Sequence, residues 1–263
     1  MLRWVVADFF TYRESDPDSL LPTWGALRTH GLNWQPGWDL PALLDEWETR
    51  LTGADDPDTA AIVVLPSHET ADALPLVRHG FAPLVVIAER RAGHAVAARP
   101  SDVRIRPATH ADLDVAVKLN LDTIRYDEAF GMVNVRPNSA EHLRKSLGEV
   151  LDRPTESMWL AVRGDTPVGM VYVDMPEDAL WVERYARARP FAYLGHLGVR
   201  PDDRRTGAGS ALVAHVHALM DRSGVASTLL HHALPNPRST PFWYSHGYRP
   251  SWTLWVRRPA LRS

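Results

Sequence analysis

The residues best placed to do chemistry lie between Leu197 and Val216. Leu197, Gly198 and Val199 close an apolar run. Arg204, Arg205, Thr206, Gly207, Ala208, Gly209 and Ser210 follow, and then Leu212, Val213, Val216, Leu219 and Met220 recur at helical spacing. The pattern predicts a strand, a short loop and an amphipathic helix in that order. The first N–H groups of such a helix have no acceptor within it and carry the positive end of its dipole. With no side chains at Gly207 and Gly209, a phosphate can sit directly on the backbone. Arg204 and Arg205 add charge-assisted donors. The stretch therefore reads as a pyrophosphate cradle. It is not a P-loop, which requires Gly-Lys-Ser/Thr where this loop has no Lys. Nor is it a dinucleotide fingerprint, whose glycines belong to the first strand of a βαβ unit.

The pattern R-x-x-G-x-G from Arg204 to Gly209, set behind L-x-V-x-P from Leu197 to Pro201, resembles the acetyl-CoA pyrophosphate loop of the GNAT superfamily of N-acetyltransferases. Many members carry Gly directly after the first Arg, where this chain has Arg205. A second stretch is similar to the family as well: a strand over Thr228–Leu234, Asn236, then Phe242-Trp243-Tyr244 ahead of Gly247-Tyr248. The resemblance implies that Leu197, Gly198, Val199 and Arg204–Ser210 hold acetyl-CoA. It also implies that Asn236 bonds the pantetheine arm or helps to separate a pair of strands. Read from the residues alone, Asn236 before Pro237 is equally a turn or N-cap residue. The family's usual general acid is a Tyr four residues before the Gly that ends the helix. Counting back from Gly247 gives Trp243, with Tyr244 beside it, and one residue turns a helical side chain by ~100°. Either Tyr244 reaches the sulfur through a local adjustment, or Trp243 packs against the pantetheine and water supplies the proton. The register favours the second.

An attacking amine must shed a proton, so a base is needed. Tyr193 occupies the strand position where some relatives place a Glu, His196 on the same strand titrates in a useful range, and Glu183 lies in the loop before it. For each of them taken singly, strand packing or a solvated loop is the better explanation. Strand N–H groups near Leu197–Val199 would stabilise an oxyanion, since the family's fourth strand splays from its fifth there. No metal is expected: His215-x-His217 and His231-His232 lack carboxylate-supported ligand spacing, and helical residues two apart do not face one ion.

With 263 residues, 45% hydrophobic and 23% charged, the chain has the composition of a soluble globular protein of one large or two small domains. There is no cysteine, hence no disulfide or thiolate chemistry. No apolar run reaches a membrane-spanning ~18 residues and no secretory leader is legible, so a cytoplasmic protein is expected. Residues 1–100 carry net charge −6 and the remainder +3, the positive portion being the one with the phosphate loop. An overall charge of −3 gives no sign of nucleic-acid binding. Of 29 basic residues only Lys118 and Lys145 are lysine, so single arginines are weak signals.

The chain repeats itself. His79-Gly80-Phe81-Ala82-Pro83 runs into a strand ending Arg90-Arg91, and His246-Gly247-Tyr248-Arg249-Pro250 into one ending Arg257-Arg258. A strand precedes each, at Ala61–Leu65 and Thr228–Leu234. This predicts two related lobes of unequal size. The first has a strand near Arg3–Phe10, a loop rich in Trp and Pro (Trp24, Trp34, Pro36, Trp38) and a helix at Leu40–Leu51. The second has a strand at Val103–Pro107, a Thr109-x-x-Asp112 capping box, helices from Leu113 and over Ser139–Leu151, a hairpin across Gly164-Asp165, and a strand at Phe191–Val199. The resemblance thus implies an α/β (α+β) fold: a GNAT-like mixed central sheet flanked by helices, preceded by a truncated related lobe. Residues 1–95 would be a degenerate GNAT-like lobe, 96–101 a linker and 102–263 the acetyltransferase domain. The expected activity is transfer of acetyl from acetyl-CoA to a primary amine of a small molecule or protein, with no metal, nucleic acid or membrane and with a homodimer left open. The alternative is an acetyl-CoA-sensing module without turnover.

Overall fold

The computed structural model describes residues 8–14, 21–34, 38–51, 56–93 and 101–261. Most of the expected linker, and the start of the strand read near Arg3, lie outside them. Among the described residues, ten strands build one mixed sheet flanked by six α-helices. The first half holds β1 (Asp8–Glu14), β2 (Arg28–Asn33), α1 (Leu40–Arg50), β3 (Thr59–Pro66), α2 (Ala73–Arg78) and β4 (Ala82–Arg91). The second holds β5 (Arg104–Pro107), α3 (Leu113–Glu128), α4 (Ser139–Leu151), β6 (Met158–Arg163), β7 (Thr166–Asp174), β8 (Phe191–Val199), α5 (Ala208–Arg222), β9 (Ser227–Ala233), α6 (Ser239–Ser245) and β10 (Arg249–Arg257). Strand β2 lies within what reads from sequence as a Trp- and Pro-rich loop. Its residues, Arg-Thr-His-Gly-Leu-Asn, lack apolar alternation, and pairing to β1 and β3 makes the strand.

The sheet order is β1-β2-β3-β10-β4-β9-β8-β7-β6-β5. Only β2 with β3 and β8 with β9 run parallel. The order β1-β2-α1-β3-α2-β4 recurs as β7-β8-α5-β9-α6-β10, and the two final strands have changed places. Strand β4 pairs with β9, while β10 pairs with β3. Two equivalent arginines fasten the exchange. Arg90 at the end of β4 is buried and makes a two-pronged bond to Asp221 of α5, both contacts 3.0 Å. Arg257 at the end of β10 is buried and pairs with Glu48 of α1. The helix ends before the exchanged strands also match. Gly80 and Gly247 have φ of +78° and +87°, and Phe81 and Tyr248 donate their N–H groups to Leu76 and Trp243 oxygens at 2.9 and 3.2 Å. That is the left-handed glycine stop that the repeated His-Gly-aromatic pattern calls for.

Each face of the second half has its own core. Helix α5 packs Leu212, Val213, Val216 and Met220 against Trp159, Val171, Val173 and Leu194. Helices α3 and α4 pack Ala116, Ile124, Leu143 and Leu147 against Leu160 and Met170 on the opposite face. In the first half, Leu44 and Trp47 of α1 cover Ala61, Val63 and Phe81, with the Trp47 and Phe81 rings stacked at 6.0 Å.

Candidate active site

Strands β8 and β9 diverge at the centre of the sheet. They pair only at Phe191, Ala192 and Tyr193, opposite Ser227, Thr228 and Leu229. Beyond Tyr193, β8 stays bonded to β7 while its other edge faces an open wedge. A bulge shapes that wedge. Tyr172 pairs with His196 and Val173 with Leu194, leaving Gly195 extra. A Cβ on Gly195 would lie 1.9 Å from the Tyr172 ring, so only glycine fits. The bulge resets the alternation: Leu194, Leu197 and Val199 face the α5 core, while Tyr193, His196 and Gly198 face the side of α3. A Cβ on Gly198 would meet Thr123 Oγ1 and His196 Nε2 at 2.9 Å and the Leu119 carbonyl at 3.0 Å, so glycine here lets α3 close onto the strand.

The phosphate-type loop follows β8. A short 3-10 turn over Pro201–Asp203 leads to Arg204, whose Nε donates to the Val199 carbonyl at 3.3 Å. Arg163 of β6 anchors the loop: it pairs with the buried Asp203 carboxylate and donates to Thr206 Oγ1 at 2.9 Å. Arg205, next in the loop, has φ of +66°. A non-glycine residue in this left-handed conformation costs roughly 1–3 kcal/mol of strain. Gly207 caps α5 with φ of +90°, and the first intrahelical bond runs from Ala211 N–H to its carbonyl. The N–H groups of Ala208, Gly209 and Ser210 therefore lack partners within the helix and lie at its positive end. Gly209 sits against Val199 and the Phe242 ring.

Strand β9 supplies the other arm. Asn236, just beyond it, is buried with both ends of its amide engaged: Oδ1 accepts N–H bonds from Arg238 (2.8 Å) and Ser239 (3.1 Å), and Nδ2 donates to Asp127 at 2.7 Å. The turn-forming role is the one visible. Trp243 lies in the core beneath α5, edge-on to Phe242 and Tyr248. Tyr244 is half-buried and edge-on to His232 at 5.6 Å, and burial raises its pKa, so the phenol keeps its proton. His232 Nδ1 lies 3.2 Å from the Ala233 carbonyl, while its buried Nε2 has no hydrogen-bond partner.

The base candidates read from sequence separate clearly. Tyr193 is fully enclosed, its hydroxyl 3.0 Å from His231 Nδ1 and its ring against Trp181, and burial drives its pKa up. Glu183 is exposed and paired with Arg189 at 2.5 Å. His196 is buried, its ring stacked near Tyr172 and its Nε2 without a partner; burial lowers its pKa to about 4, so the imidazole is neutral near pH 7. Sequence reasoning passed over Asp127. It stands one turn beyond Thr123 on α3, so this helix passes from the β8 arm to the β9 arm across the mouth of the wedge. Burial raises its pKa to about 6, against the opposing pull of the Asn236 bond and the Arg204 charge. No motif marks it, because the sequence does not show that Asn236 would reach α3. Among the described residues no group of three or more His, Asp or Glu could hold a metal, and no helix is long and apolar enough to cross a membrane.

Residues 123–248, which contain the wedge, the loop and α6, match the acetyltransferase (GNAT) family model. No curated protein matches the chain by sequence. The fold is similar to that of a GCN5-related N-acetyltransferase from Sphaerobacter thermophilus, with TM-score 0.61, 16% identity, and 97% of this chain and 76% of that one covered. It is also similar to a conserved protein of unknown function from Staphylococcus epidermidis, with TM-score 0.58, 14% identity and coverage of 97% and 96%. A GCN5-related N-acetyltransferase from Kribbella flavida shares it at TM-score 0.50, 15% identity and coverage of 88% and 80%.

Proposed function

We propose that the chain is an N-acetyltransferase that moves acetyl from acetyl-CoA to a primary amine. The observation that carries this reading is the open edge of β8 beyond Tyr193 leading directly into the Gly207-capped start of α5. The free N–H groups of α5, with Arg204 and Arg205, suit a diphosphate. The open edge of β8 over Leu197–Val199 suits an extended arm and a developing oxyanion. Acetyl-CoA supplies the activated acyl group. The residues of this chain hold and orient it, and exclude water by closing α3 over Gly198.

On the α3 face, His196 and Asp127 are the titratable groups best placed to receive the amine's proton. Asp127, with a pKa near 6, is the better matched of the two to neutral pH. On the α6 face, Tyr244 keeps its proton and can share it with the departing sulfur. Strands β1 to β4 of the first half continue the sheet beyond β9, and that half lacks an R-x-x-G-x-G loop. Release of CoA thiol from acetyl-CoA, followed colorimetrically with a panel of polyamines, amino acids, aminoglycosides and peptide amines, tests the reading. Amine-dependent thiol release supports it. Binding of acetyl-CoA with no release on any amine favours a sensing module.

A further inference from the structure

The sequence marks Arg204 as a phosphate ligand and leaves Arg238 as one arginine among many. In the structure the two converge. The Arg238 guanidinium lies 4.0 Å from the centroid of the Tyr126 ring and that of Arg204 lies 5.6 Å from it, although they come from opposite arms of the wedge. Like charges gathered on one ring repel, and Arg204 shows it: burial first, then the Arg238 charge, lowers its pKa. The nearby carboxylates do not pair with it. Asp122 is engaged with Arg125 at 3.4 Å and Asp127 with Asn236 at 2.7 Å. Arg238 has no ion pair among the described residues. Its position is nonetheless fixed. Asn236 accepts the Arg238 backbone N–H at 2.8 Å and donates to Asp127, the neighbour of Tyr126, so one buried amide ties the arginine to its aromatic platform.

Building on the acetyl-CoA reading above, we propose that Arg238, resting on Tyr126, is a second phosphate ligand that extends the loop at Arg204–Ser210 into a clamp across the wedge. The ligand is a phosphate group of CoA, either the diphosphate or the 3′-phosphate. Such an anion relieves the repulsion between the two arginines and gains a charge-assisted bond from each.

Calorimetry with acetyl-CoA and with 3′-dephospho-CoA, on the native chain, Arg238→Ala and Arg238→Lys, tests this. The alanine variant is expected to bind acetyl-CoA about tenfold more weakly, and the lysine variant to stay within about threefold of native, because it restores the charge. An equal loss with 3′-dephospho-CoA assigns the contact to the diphosphate; a loss that disappears assigns it to the 3′-phosphate. Either result supports the clamp. Arg238→Ala binding acetyl-CoA within twofold of native, or Arg238→Lys binding as poorly as the alanine variant, would overturn it. A native chain that binds neither nucleotide would overturn the acetyl-CoA reading itself, a result separable from failure of the clamp.

Discussion

Asp127→Asn is expected to stabilise the protein at neutral pH. The fold holds the Asp127 carboxyl at a pKa of about 6 against an ordinary 3.8, so folding favours its protonated form. Near pH 3 the group is protonated in both states and contributes nothing. As pH rises through the interval from 3.8 to 6, the unfolded chain releases the proton that the folded one still holds, and stability falls. Above pH 6 the deficit is constant. Two units or so at 1.36 kcal/mol each give about 3 kcal/mol. An asparagine keeps the shape and still accepts the Asn236 N–H through its own oxygen. Urea unfolding at pH 7.5 should show the variant more stable by about 3 kcal/mol, worth roughly 6–12 °C in melting temperature for a protein this size. The difference should shrink steadily toward pH 4. A variant less stable at pH 7.5, or a difference that does not change with pH, would refute the burial argument. The expected result would mean that the native chain carries a destabilising carboxylate at its wedge, as proteins do where the group is wanted for function.

Gly195→Ala should cost at least 3 kcal/mol or shift β8 by one residue, because its Cβ would enter the Tyr172 ring; chemical denaturation with near-ultraviolet circular dichroism reads both effects. Trp243→Ala should lose about 3–5 kcal/mol of stability, as expected for a buried aromatic in the α5 core, visible as a lower melting temperature. Tyr244→Phe should lose less than about tenfold in turnover, measured by steady-state thiol release, because thiolate departs with modest help. A chain of residues 101–263 alone should aggregate or melt early, since it lacks β4, bares the edge of β9 and leaves Asp221 without Arg90; size-exclusion chromatography shows this directly.

Much of the second half was legible from local pattern. The strand at Phe191–Val199 and the helix at Ser139–Leu151 fall where the sequence puts them, and the Gly80 and Gly247 stops adopt the positive φ that their motif implies. Strand β2 was hidden because Arg28–Asn33 is polar and gains its order from neighbours on both sides. The exchange of β4 and β10 was hidden for a different reason. Each strand carries the same signals wherever it pairs, and only the distant partners Asp221 and Glu48 tell the two arrangements apart. In the site, Arg204 to Ser210 announced themselves by spacing. His196 and Gly198 reached the α3 face only through the bulge at Gly195, which breaks the period-two reading of the strand. Asp127, Tyr126 and Arg238 belong to no motif and meet only because Asn236 links the β9 arm to α3.

The central claim is that the start of α5, capped by Gly207, holds the diphosphate of acetyl-CoA. Isothermal titration of acetyl-CoA into the native chain and into Gly207→Glu tests it most directly, with circular dichroism confirming that the variant is folded. The native chain should bind with a 1:1 stoichiometry. The variant, which places a carboxylate and a side chain at a φ of +90° where the phosphates would rest, should show no binding. Unchanged affinity in a folded Gly207→Glu protein would contradict the account.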